Sequence, residues 1–300
     1  MRIVLARAVA LCGLVALASG AVACGTSGSN SADARPTVVV TTSVLGDVVR
    51  NLVGNDMSTL VVMPAGADPH DFAPSARQVD AMRSADVLVV NGLDQEVSLR
   101  DTIDAAEQGG TTVIRVTNGV DLLGDDPHFF TDPVRMRQAV VYLSAQLAAE
   151  VDGLDAPEYR DRVAAYLGAL DDLAAEVSTV LAAVPAERRV LVTYHGVFAY
   201  FADRYDFTVL GTVVPGGSPL AEASAAELSA LVTRMEEEGV TAVFTDSSSP
   251  DRLAKALASE GTNIDVVELF TESLGPAGSD ATTYIDMVRT NARRVAAALG

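Results

Sequence analysis

Only three histidines occur in the 300 residues: His70, His128 and His195. Imidazole is a favoured ligand for zinc, copper, nickel and iron, and it coordinates in its neutral form. His70 and His128 share an Asp-Pro-His context, Asp68-Pro69-His70 and Asp126-Pro127-His128, while His195 lies in Thr193-Tyr194-His195-Gly196. A proline before the histidine fixes the local backbone and limits how far the loop can misplace the ring. A single histidine is more often structural than a ligand. A chain that spends all its histidines in such settings leaves two readings open, three separate structural residues or one shared metal site. The sequence has no H-E-x-x-H helix and no histidine pair at i, i+4, the arrangement zinc proteases use.

The elements around these residues decide whether they can meet. Short β-branched runs begin at Val38–Val40, Thr59–Met63, Ala85–Val90 and Thr112–Val116, and a second set runs at Val190–Tyr194, Thr208–Leu210, Ala242–Thr245 and Asp265–Leu269. Helical stretches such as Val44–Val53 separate them. Buried strand runs alternating with helices indicate parallel sheets covered on both faces. The fold class expected is therefore α/β, with two Rossmann-like lobes, each expected to keep its own core. Each histidine follows a strand, and ligands of open α/β sheets bind beyond the strands' carboxyl ends. Helix starts are marked by capping boxes at Ser75-Ala76-Arg77-Gln78 and Ser224-Ala225-Ala226-Glu227, and by Asp132-Pro133.

From Pro157 to about Val184 one long helix is predicted. Tyr159, Val163, Tyr166, Leu167, Leu170, Leu173, Val177, Val180 and Leu181 recur at three- and four-residue spacing without a sustained heptad. At ~1.5 Å per residue it makes a rod of roughly 40 Å, long enough to run along both lobes. The organisation expected is 1–23 signal peptide, 24–35 flexible tether, 36–155 first lobe, 156–186 linking helix and 187–300 second lobe.

The amino terminus carries an address. Arg2 and Arg7 precede the apolar run Ala8–Ala18, and Ala21-Val22-Ala23 stands just before Cys24, the layout of a secretory signal. The run is too short to span a bilayer stably. Ala21-Val22-Ala23 suits ordinary cleavage, and with Cys24 it also resembles a bacterial lipobox, with Ala21 where leucine is typical. Cys12 would leave with the signal, so Cys24 would have no internal disulfide partner. The polar stretch Gly25–Ser31 then serves as a tether, and Cys24 is the expected lipidation site, giving a membrane protein facing the extracytoplasmic side. The formal net charge of −19 argues against nucleic acid as a partner.

Longer motifs narrow the reading. Asp68-Pro69-His70-Asp71-Phe72-Ala73-Pro74 with Ala85-Asp86-Val87 and Asn91-Gly92-Leu93, then Asp126 to Pro133, then His195 to Phe201, and finally Tyr284 to Asn291, resemble in order the signatures of zinc and manganese solute-binding proteins of ABC transporters. This is the TroA-like group of cluster A-I metal-binding lipoproteins. The resemblance implies two lobes joined by one long backbone helix, with one metal held between them by His70, His128, His195 and a fourth ligand from a motif after the last strand. That motif reads Phe270-Thr271-Glu272-Ser273-Leu274, with glutamate where aspartate is usual. Glu272 is the expected ligand, with Asp280 and Asp246 as alternatives. The histidine-rich loop of many zinc members is absent, and Asp121, Asp125 and Asp126 are expected on a solvated loop. Three imidazoles and a carboxylate suit tetrahedral Zn2+, with Mn2+ as second choice because it prefers more oxygen. The resemblance implies a non-enzymatic carrier, expected to be monomeric, with an ABC permease and its ATPase as partners. An exported zinc hydrolase is the alternative class, should water take the fourth position. Because imidazole coordinates when neutral, affinity is expected to fall as pH drops through about 6.5.

Overall fold

The computed structural model describes residues 35–214, 223–248, 252–260 and 264–300. The expected signal peptide, Cys24 and nearly all of the expected tether lie outside the described residues. Strands β1 (Thr37–Val40), β2 (Ser58–Val61), β3 (Val87–Val90) and β4 (Thr112–Arg115) form one sheet in the order β2-β1-β3-β4. Strands β5 (Val190–Thr193), β6 (Thr208–Thr212), β7 (Ala242–Asp246) and β8 (Asp265–Leu269) form a second in the order β6-β5-β7-β8. Every pairing among the described strands is parallel.

Helices α1 (Ser43–Val53), α2 (Ala76–Arg83) and α3 (Arg100–Gln108) serve the first sheet, and α6 (Ala199–Tyr205), α7 (Ala225–Glu237) and α8 (Arg252–Glu260) the second. Both capping boxes form, at Ser75 with Gln78 and at Ser224 with Glu227. The remaining helices, α4 (Pro133–Glu150), α5 (Pro157–Leu181) and α9 (Tyr284–Leu299), stack together: α5 packs against α4, α9 and α1. Helix α5 has 25 residues, a rod of roughly 37 Å. It stops at Leu181 rather than near Val184, since Pro185 follows and the residue before a proline disfavours helix. The fold is thus two α/β lobes linked by long helices.

Cores divide by sheet face. Val39, Leu88 and Val90 point outward with Met82, Leu99 and Ile103, while Val192 and Val243 do the same in the second lobe with Leu228, Leu231 and Leu257. The alternate residues Val38, Val40, Val87 and Val89 face inward, as the two-residue strand period demands. Here the expectation of one core per lobe is corrected. The inward residues join Leu143, Tyr159, Leu170, Leu173 and Val177 of α4 and α5, and continue through Phe201, Phe244, Leu269, Tyr284 and Val295 into one cluster shared by both lobes. Helix α5 buries one stripe, Tyr159, Tyr166, Leu170, Leu173, Val177 and Leu181, against α1, α4 and α9, and through these helices the core becomes continuous.

Candidate metal centre

Each histidine is fixed by its own loop. His70 follows β2, and its backbone N–H donates to Asp68 Oδ1 at 2.8 Å. His128 follows β4, and Asp126 Oδ1 accepts both its backbone N–H at 2.9 Å and a ring contact to Nδ1 at 2.7 Å. Asn91 Nδ2 steadies the same loop by donating to the Pro127 carbonyl at 3.1 Å. The aspartate of each Asp-Pro-His thus folds back on the histidine two residues later, a local turn that the proline alone does not supply. His195 follows β5 and is 1% exposed, with its carbonyl accepting from Thr193 Oγ1 at 2.8 Å.

Glu272 follows β8 and is also buried. Its neighbours pin it: Thr271 donates to Asp246, and Ser273 Oγ lies 2.9 Å from Ser43 Oγ of the first lobe. The rings converge, with centroid separations of 5.8 Å from His195 to each of the other two and 6.1 Å between those two. One ligand atom from each of His70, His128, His195 and Glu272 lies within 4.8 Å of all the others. Glu272 Oε1 sits 2.7 Å from His195 Nε2, 3.2 Å from His128 Nε2 and 3.6 Å from His70 Nε2.

Charge balances around that oxygen. Burial alone would lower the His128 pKa, but the Glu272 charge and the contacts to Asp126 and Glu272 raise it to about 9. His70 also rises, its burial outweighed by Glu272 and Asp68. Burial would raise Glu272, yet the imidazoles, His128 foremost, hold it well below the usual carboxylate range. The Nε2 atoms of His70 and His128 are buried and lack a hydrogen bond of good geometry, so their closeness to Glu272 is charge attraction. Two unpartnered nitrogens, a third imidazole and an anionic oxygen aimed at one point fit a divalent cation of borderline softness.

The alternatives for the fourth position stand elsewhere. Asp246 is buried, but Ser248 N and Oγ donate to its Oδ1 at 2.6 and 2.8 Å, and Thr271 takes its other oxygen. Burial, aided by the Glu272 charge, pushes it up to about 6. Asp280 is exposed and belongs to a surface group with Arg289 and Arg293. Asp121 and Asp125 lie on the surface as expected. Asp126 does not: it is half-buried and holds His128. Its position two residues before the histidine, repeated in Asp68, was the available signal. Gln95, whose Nε2 donates to Glu272 Oε2 at 2.5 Å, carried none.

Residues 38–298 match the family described as zinc-uptake complex component A, periplasmic. The chain is 31% identical to the zinc-binding protein TroA of Treponema pallidum (strain Nichols) over 90% of each chain. It is 27% identical to the manganese ABC transporter substrate-binding lipoprotein PsaA of Streptococcus pneumoniae over 95% of this chain and 96% of that one. The solved structure of the periplasmic zinc-binding protein TroA superposes with a TM-score of 0.82, covering 89% of this chain and 99% of that chain.

Proposed function

We propose, from the premise that this chain belongs to the TroA-like family of metal-binding solute-binding proteins of ABC transporters, that it captures one zinc ion with His70, His128, His195 and Glu272 and delivers it to a membrane permease. The observation that carries this reading is the meeting of three Nε2 atoms around Glu272 Oε1 at 2.7 to 3.6 Å. An incoming cation takes the place of the positive charge that protonated imidazole supplies in the metal-free site. The rings must be neutral to coordinate, so loading releases protons.

The donor set supports zinc over manganese. Three nitrogens and one oxygen complete a tetrahedron, whereas manganese favours more oxygen ligands. Relatives named for each metal exist, so the preference rests on the donors rather than on kinship. A catalytic zinc keeps one position for water. Glu272 would fill that position here, in keeping with a family of non-catalytic carriers. Cys24 would carry the lipid that holds the chain on the extracytoplasmic face, within reach of the permease and its ATPase.

Metal-free protein exposed to zinc and manganese together, then stripped of loose ions and weighed for metal, tests the assignment. One zinc per chain with little manganese is expected. Manganese equal to or above zinc would overturn the choice of metal, and no tightly held metal would overturn the function.

A further inference from the structure

Gln95 plays no part in the ligand set, yet its side chain reaches it. The residue is 1% exposed, belongs to the first lobe, and donates from Nε2 to Oε2 of Glu272 in the second lobe at 2.5 Å. A carboxylate only accepts, so the amide must present its NH2 group there. Its own Oε1 is buried without a hydrogen-bond partner. A long amide in a buried place is costly unless its bonds are made, which makes Gln95 a poor choice for mere packing.

The backbone that delivers it is unusual as well. Gly92, Leu93 and Asp94 take positive φ in succession, at 96°, 52° and 59°. Non-glycine residues rarely adopt that region. Gly92 has no substitute, since a Cβ there would lie 2.4 Å from Thr117 Oγ1. Glu96 clamps the far end of the turn, accepting from Thr41 Oγ1 and Asn91 N at 2.6 Å each and from Gly92 N at 3.3 Å. The turn is held at both ends, and the residue it projects between them is Gln95.

The two oxygens of Glu272 therefore have different duties. Oε1 faces the imidazoles, and Oε2 is taken by Gln95. We infer that Gln95 is a specificity-determining positioning residue, which restricts Glu272 to one-oxygen coordination and so favours a four-coordinate ion over one that wants a second carboxylate oxygen. Oε2 keeps a second lone pair, but two-oxygen binding would have to turn it toward the ion, pulling it off the line of the Gln95 bond. Zinc is satisfied by four ligands, while manganese gains from a fifth. This inference rests on the metal-binding reading above.

Gln95→Leu keeps the bulk and removes the donor; Gln95→Met serves if the leucine variant does not fold. Zinc and manganese affinities are measured by chelator competition, alongside visible absorption of the cobalt-loaded protein, which is intense for four-coordinate Co2+ and weakens with added ligands. The expected result is a fall in the zinc-over-manganese preference of about tenfold or more, the usual scale for an outer partner of a ligand, together with weaker cobalt absorption. Equal changes in both affinities with an unaltered cobalt spectrum would overturn the inference. Stronger cobalt absorption in the variant would also overturn it, by making the Gln95 carbonyl a ligand in its own right. Failure of the unmutated chain to bind zinc would instead sink the functional reading, so the two failures are distinguishable.

Discussion

In the metal-free protein at neutral pH the site is a charged cluster, with His128 held protonated up to about 9 by Glu272 and Asp126. A metal must expel that proton before Nε2 can coordinate. Below the raised value, each unit of pH therefore costs about tenfold in zinc affinity. Affinity should still be climbing between pH 7 and 9, beyond the 6.5 that an ordinary imidazole would set; chelator titrations across that range check it, and a flat profile would contradict it. Asp126 contributes through the ring it holds. Asp126→Ala should weaken zinc binding by roughly 10- to 100-fold while leaving the four ligands in place, as isothermal titration would register. The histidines were legible because the chain has so few, and Glu272 because a motif placed it. Asp126 was misplaced on a solvated loop, since burial of a short loop depends on what packs over it. Gln95 was invisible for a related reason: its partner lies 177 residues away, in the other lobe.

Among elements, α4 and its N-cap tie local and distant structure together. Asp132 is fully buried; it accepts from Val134 N at 2.8 Å to cap the helix and from Arg135 Nη1 at 2.8 Å. Arg204 of α6, in the second lobe, reaches the same carboxylate at 3.2 Å. Asp132→Ala removes the cap and leaves the buried Arg135 without its closest partner, although Asp203 still accepts from it at 2.9 Å. A loss of about 3 kcal/mol is expected in denaturant unfolding of the metal-free protein, where breaking one side of a buried pair typically costs that much. The cap was readable from Asp132-Pro133, and α5 from its periodicity, because both are local. The strand orders β2-β1-β3-β4 and β6-β5-β7-β8 were not, since pairing follows from which faces pack together rather than from any one run of residues.

Across the whole molecule, the metal would join lobes that already share a core. The continuous apolar cluster, α5, and bonds such as Tyr284 Oη to the Phe130 carbonyl at 2.9 Å resist a wide hinge motion. Loading should leave X-ray scattering profiles nearly the same, since the loops around His128 and Glu272 are already held by Asp126, Asn91 and Ser43; a large compaction would contradict the shared core. His195→Ala should abolish tight zinc binding while the metal-free protein still folds, with a lowered melting transition because buried Glu272 loses its partner at 2.7 Å. Cys24→Ala should release the protein from the membrane fraction without altering its affinity for zinc. The measurement closest to the central claim is zinc K-edge X-ray absorption on the singly loaded chain. Three imidazole nitrogens at about 2.0–2.1 Å and one carboxylate oxygen at a similar distance are expected. A six-coordinate, oxygen-rich shell, or a spectrum unchanged in zinc-loaded His195→Ala, would contradict the account.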